Sequence, residues 1–364
     1  MRTLSDTITR LAAAQTRMGQ PRAGGTDRLT DMAVTGANPG QLAARIHIPE
    51  GLEPGAPLVV VLHGCTQNAA GYDHGSGWST LADDHGFALL YPEQQRGNNA
   101  NLCFNWFEPG DIRRDGGEAL SIRSMIVQMI AEHDLDPARV FVTGLSAGGA
   151  MTAVMLATWP ELFAGGAIIA GLPYGVAAGV PQAFDRMRGH GDPAGPELAA
   201  LVRKASQHKG PWPTVSVWHG TGDMTVAASN MDAIVEQWRL LHGLEATPSQ
   251  VGTVGGHSTR RWTDAAGRVR IEAHSIAGMG HGTPIAPGEG CGAAMPHMLD
   301  VGVCSTRAIA AFWGIADAGA DMSVDRRDAA HPARPALAAF GGAVDGSGVK
   351  KVIEDALRAA GLMR

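Results

Sequence analysis

The chain has 364 residues, 45% of them hydrophobic, enough to bury the core of one large α/β domain or two modest ones. A formal net charge of −6, with no basic cluster beyond short pairs such as Arg113-Arg114 and Lys350-Lys351, argues against a nucleic-acid partner. No apolar run approaches the length of a membrane span, and Asp6 and Arg10 interrupt the N-terminal stretch, which makes it a poor signal peptide.

Residues 1–30 read as a short helix followed by a flexible Pro/Gly stretch. Residues 44–48 alternate like a strand and stop at Pro49. Residues 58–62 are a continuous apolar run, the mark of a strand buried on both faces. Residues 77–85 read as a helix and 87–91 as another buried strand. Residues 118–132 place Leu120, Ile122, Met125, Ile126, Met129 and Ile130 at helical spacing. Residues 139–143 form a strand, and 150–158 a helix that ends near Pro160. Further strands are expected at 165–170 and 214–219. Between them, residues 172–213 are loop-rich and are a candidate cap. A helix follows at 229–241, a late strand at 269–276 and a helix at 306–313. Residues 318–348 read as linker and 350–363 as a short amphipathic helix docked on the domain surface. Strands alternating with helices predict an α/β fold with a mostly parallel sheet, covered by helices on both faces, over residues 31–317. Functional residues should then lie just after the carboxyl ends of strands.

The most informative stretch is Val140-Phe-Val-Thr-Gly-Leu-Ser-Ala-Gly-Gly-Ala150. A serine on a sharp strand-to-helix turn exposes its oxygen, and the residues two before and two after must be small because strand and helix pass close together. Gly144 and Gly148 meet that need, which makes Ser146 a candidate nucleophile. A serine needs a base to take its proton, and a histidine base needs a carboxylate to orient it. Asp223 follows a strand in His219-Gly-Thr-Gly-Asp223 and is the candidate acid. Its rivals are Asp232, inside a predicted helix, and Asp264, on a probable hairpin turn with Gly267. His281 follows the late strand in Gly278-Met-Gly-His281-Gly and is the candidate base, with His257 and His297 as rivals. An oxyanion needs preorganised N–H donors. Ala147, after the serine, and Cys65, in the turn His63-Gly64-Cys65 after the first buried strand, are the candidates. The aromatic run Cys103-Phe-Asn-Trp-Phe107 offers Trp106 as a wall for an apolar substrate or as core packing, and Gly171-Leu-Pro-Tyr-Gly175, after a later strand, offers Tyr174 as a further cleft residue.

The four cysteines allow three pairings. Cys291 and Cys304 lie close together in a Gly/Pro-rich segment, which suggests a local staple and leaves Cys65 with Cys103. Four reduced, buried thiols are the alternative, and a cytosolic location would favour it. None forms a Cys-x-x-Cys pair, so no zinc site is expected.

Together these residues resemble the polyhydroxybutyrate (PHB) depolymerase family of α/β-hydrolases, an esterase group that includes feruloyl and acetylxylan esterase relatives. The matching motifs are Leu62-His-Gly-Cys-Thr-Gln67, Cys103-Phe-Asn-Trp-Phe107, Gly144-Leu-Ser-Ala-Gly-Gly149, Ala170-Gly-Leu-Pro-Tyr-Gly175, His219-Gly-Thr-Gly-Asp223 and Gly280-His281. The resemblance implies Ser146 as nucleophile, Asp223 as acid, His281 as base, Cys65 and Ala147 as oxyanion donors, and a Cys65–Cys103 bridge. It implies hydrolysis of short-chain poly(3-hydroxyalkanoate) polyester or oligoester bonds, with no cofactor or metal. A carbohydrate-linked esterase, a peptidase and a non-catalytic binding protein on the same fold are the alternatives. Secreted members carry a signal peptide and a polymer-binding module, which this sequence does not display clearly. The cysteines favour an extracellular or periplasmic location and the missing leader favours the cytoplasm. A membrane partner is not expected, and oligomeric state is not legible.

Overall fold

The computed structural model describes residues 27–317 and 325–326. Along the chain run β1 (Thr30–Asp31), β2 (Ala43–His47), β3 (Leu58–Leu62), α1 (Ala69–Ser76), α2 (Trp78–His85), β4 (Ala88–Glu93) and α3 (Gly117–Glu132). Then come β5 (Val140–Leu145), α4 (Ala147–Thr158), β6 (Gly165–Ile169), α5 (Val180–Met187), α6 (Gly195–Ala205), β7 (Thr214–Gly220) and α7 (Ser229–His242). The last are β8 (Gln250–Val254), β9 (His257–Thr263), β10 (Val269–Ile276), β11 (Thr283–Ile285), β12 (Met298–Asp300), α8 (Ser305–Phe312) and β13 (Asp325–Arg326). The helix expected near the N-terminus and the C-terminal linker and helix lie outside the described residues, apart from β1 and β13.

Eleven strands form one sheet in the order β1-β2-β4-β3-β5-β6-β7-β10-β9-β8-β13. From β4 to β10 every neighbouring pair is parallel. Both edges are antiparallel. The apolar run of β3 explains the centre. Leu58, Val60 and Leu62 feed one core, with Met125 of α3, Met151 of α4 and Trp238 of α7. Val59 and Val61 feed the other, with Tyr72 of α1, Trp78 of α2 and Ile309 of α8. A strand with helices on both faces cannot alternate with polar residues, so it reads as continuous apolar sequence. β9, between β10 and β8, is covered far less, and only Thr259 and Trp262 are buried along it.

Chain order reverses at β3, which lies between β4 and β5. In open α/β sheets the crevice outside the carboxyl ends at such a point is where ligands bind. The Cys65 turn and Ser146 both leave their strands there.

Two features differ from the sequence reading. Residues 172–213 hold α5 and α6, and α6 buries Leu198, Ala199 and Val202, so this segment belongs to the core more than a loop would. The helix α1 was not expected, because two of its residues are glycines. Asn68 caps it by accepting from Gly71 N–H at 2.8 Å, and Glu93 Oε2 accepts from Ala69 N–H at 2.7 Å. Among the described residues no helix is long and apolar enough to cross a membrane.

Candidate active site

Ser146 sits between β5 and α4 with φ 58° and ψ −117°, a backbone conformation that non-glycine residues rarely adopt. It is half-buried while its neighbours on both sides are buried. Close packing explains the flanking glycines. A Cβ on Gly144 would lie 2.4 Å from Gly148 O, and one on Gly148 would lie 2.2 Å from Leu62 O. Ser146 N–H donates to Ile169 O at 2.9 Å, which ties the turn to the end of β6.

Asp223 lies on the loop after β7 and is 7% exposed. Its Oδ1 accepts from the N–H groups of Thr225 at 2.8 Å and Val226 at 2.9 Å. Its Oδ2 is 2.7 Å from His281 Nδ1 and 3.3 Å from His219 Nε2. Burial works to raise its pKa, but hydrogen bonds from His219 and His281 outweigh it and hold the carboxyl well below the usual carboxylate range. An ionised carboxylate only accepts, so His281 Nδ1 carries a proton, and in the neutral imidazole Nε2 is the nitrogen with the lone pair. The loops bearing the two groups are joined by main-chain bonds. Thr221 N–H donates to Ile276 O and Gly222 N–H to Met279 O, each at 2.9 Å. The approach is so close that a Cβ on Gly220 would lie 2.2 Å from Met279 O.

The rival acids and His257 fall elsewhere, while His297 lies against His281. Asp232 is in α7 and pairs with Arg260, and Asp264 closes the β9–β10 turn onto Arg268. His257 opens β9. His297 is exposed, and its Nδ1 lies 3.2 Å from His281 O. Ser146 Oγ makes no hydrogen bond to His281 or to any other described residue.

The structure joins Cys65 to Cys103 and Cys291 to Cys304. The first bridge ties the turn after β3 to the aromatic run; the second ties the loop after β11 to the cap of α8. Buried His63 is kept neutral by desolvation, donates from Nδ1 to Gly64 O at 2.8 Å and accepts Gln94 N–H at 3.1 Å. Trp106 is 6% exposed, edge-on to Phe107, and packs in the main core. Tyr174 is half-buried and donates from its hydroxyl to Ile112 O at 3.3 Å. Three residues around these groups were not singled out from the sequence: His219 on Asp223, and Gln94 and Glu118, which connect to Cys103. His219 was legible in principle, four residues before Asp223 at a strand end; Gln94 and Glu118 gave no local signal.

A strained serine leading into a helix, followed in the chain by an acid and an imidazole after later parallel strands, belongs with one fold class, the α/β-hydrolases. A solved acetyl xylan esterase from Aspergillus awamori superposes with a TM-score of 0.68, covering 80% of this chain and 100% of that one at 24% identity, which shows the fold. Residues 42–264 match the family described as Esterase PHB depolymerase. The chain belongs to that family and is a carboxylic ester hydrolase. Poly(3-hydroxyalkanoate) depolymerase C of Paucimonas lemoignei is 50% identical over 291 residues, covering 79% of this chain and 70% of that protein. Feruloyl esterase B of Talaromyces stipitatus is 32% identical, covering 70% and 72%. An acetylxylan esterase of Coprinopsis cinerea is 32% identical, covering 71% and 70%.

Proposed function

We propose that the protein is a serine esterase that hydrolyses poly(3-hydroxyalkanoate)-type polyester or oligoester bonds through an acyl-enzyme. The observation that carries this reading is the Asp223–His281 pair at 2.7 Å, on loops after β7 and β10 of the sheet whose β5 ends in the strained Ser146 turn. In this reading Ser146 Oγ attacks the ester carbonyl while His281 Nε2 takes its proton. Asp223 stabilises the imidazolium that forms. The oxyanion is received by the N–H groups of Cys65 and Ala147, neither of which donates a hydrogen bond within the described residues. Collapse expels the hydroxyl end of the chain, protonated by His281. Water then attacks the acyl-enzyme by the reverse sequence and frees Ser146. Residues 172–213 supply one wall of the cleft. The turn before α5 is bonded to Phe107 O, and its end to Ala227 of the loop that carries Asp223, which supports that reading.

The polymer as substrate rests on the 50% identity to a depolymerase. The 32% identity to feruloyl and acetylxylan esterases favours a second reading, a carbohydrate-linked ester. Wild type and Ser146→Ala assayed on amorphous polyhydroxybutyrate, p-nitrophenyl butyrate, methyl ferulate and acetylated xylan separate them. Clearing of polymer that needs Ser146 is expected. Turnover of the carbohydrate esters without clearing supports the second reading, and full activity in Ser146→Ala defeats both.

A further inference from the structure

One carboxyl group, linked to Cys103 through Gln94, takes no part in the chemistry above. Glu118 is in the first turn of α3, where a glutamate ordinarily faces solvent, yet it is 1% exposed. Two donors are aimed at it. Gln94 Nε2 donates to Oε1, and Asn105 N–H donates to Oε2 at 2.8 Å. The same Gln94 Nε2 donates to Cys103 O at 3.0 Å. Gln94 N–H reaches His63, which in turn holds Gly64 O. Cys103 is bonded to Cys65, and Asn105 precedes Trp106. The β4 end and the aromatic run therefore meet at one buried side chain, and the β3 turn is linked to it through His63, Gln94 and the disulfide.

Glu118 is also fixed from behind. A Cβ on Gly40 would lie 2.7 Å from Glu118 Cα, and Asp111 Oδ1 accepts Glu118 N–H at 3.2 Å. Burial pushes this carboxyl up to about 8, against the hydrogen bond from Asn105 and with the help of Asp111. An apolar side chain of similar size would fill the space without that desolvation cost. The carboxyl group, mostly protonated at neutral pH, is therefore better explained by the two donors its oxygens hold than by packing.

We propose that Glu118 is a positioning residue for ester hydrolysis, holding the Cys65 turn and the Asn105–Phe107 segment so that the Cys65 N–H meets the developing oxyanion. The inference rests on the role proposed above for Cys65.

Glu118→Gln tests it. Both oxygens of the carboxyl can accept whether it is ionised or protonated, whereas glutamine puts a donor-only nitrogen in place of one, so one of the two bonds is lost. Rates are counted per serine labelled by a fluorophosphonate, which removes any unfolded fraction. The expected result on p-nitrophenyl butyrate is a fall in kcat of about tenfold or more with KM within about twofold, because an oxyanion donor acts on the transition state. A boronic acid that forms a tetrahedral adduct with the serine should lose affinity by a similar factor. Wild-type kcat per labelled serine, or a loss confined to KM with boronate affinity unchanged, overturns the proposal. If Glu118→Gln does not fold, Gln94→Met removes the arm between Glu118 and Cys103 and is held to the same outcomes. Ser146→Ala in the same assay tests the esterase reading separately, so failure of one is distinguished from failure of the other.

Discussion

Replacing Gly148 by alanine adds one methyl group where α4 passes beneath the end of β3. That carbon would lie 2.2 Å from Leu62 O and 2.6 Å from His63 O. Both are main-chain atoms leading into the Cys65 turn, so neither can rotate aside. Real Cβ contacts essentially never fall under 3.0 Å, so helix or strand must give by about 0.8 Å. Helix propensity works in the other direction, since alanine is favoured over glycine by about 1 kcal/mol. Overpacking costs about 1–3 kcal/mol, and backbone atoms at the contact put this case at the upper end, for a net loss of about 2 kcal/mol. Activity should suffer more, because a misplacement near 1 Å costs roughly 100-fold. Gly148→Ala should therefore unfold at lower urea with an unchanged slope, and lose about 10- to 100-fold in kcat/KM on p-nitrophenyl butyrate. Gly280→Ala is the control. Its Cβ meets nothing within 4 Å although it adjoins His281. Its stability should stay within about 0.5 kcal/mol of wild type. Wild-type behaviour of Gly148→Ala, or equal losses in the two variants, would refute the steric reasoning.

Asp223→Asn keeps the shape but loses the charge that fixes His281, and kcat should fall by about 10³- to 10⁴-fold with little change in KM; a loss under tenfold would remove Asp223 from the triad. Stability should decline on acidification. Burial lowers His242 from 6.5 to about 4, and Asp223 is also held low, against burial, by His219 and His281. Both groups bind protons more readily unfolded, so their contribution is present above their ordinary values and is lost as pH falls, first between 6.5 and about 4 for His242. Urea midpoints measured across that window should fall less steeply in His242→Gln, and identical slopes would count against the assignment. The Cys65–Cys103 bridge spans 38 residues and the Cys291–Cys304 bridge 13, worth about 4 and about 3 kcal/mol in the chain-entropy picture. Paired Cys→Ala variants should lower the urea midpoint in that order, and the reverse order would reject it.

The legible parts of this protein are those whose cause is local. The apolar run of β3 and the glycines around Ser146 each answer to a constraint within a few residues, so both could be read in advance. The paired edges were harder. β8 carries Gln250 and Thr253, and its residues are strand because β9 and β13 lie alongside. α1 depends on Asn68 and on the distant Glu93, and α6 on packing against α7. At the site, Asp223 and His281 were candidates by position after strands, and the contact between them joins residues far apart in the chain. Glu118 looked like an ordinary first-turn acid, and only the fold brings Gln94 and Asn105 to it.

The main-chain bonds between the Asp223 and His281 loops have an evolutionary consequence. Backbone hydrogen bonds do not depend on which side chains the residues carry, provided the glycines at the closest approach are kept. Met224, next to Asp223 and 93% exposed, can therefore vary while the 2.7 Å pair beside it stays in register. Descendants of such a chain could trade one ester for another by changing the rim of the cleft, with the cutting machinery inherited intact.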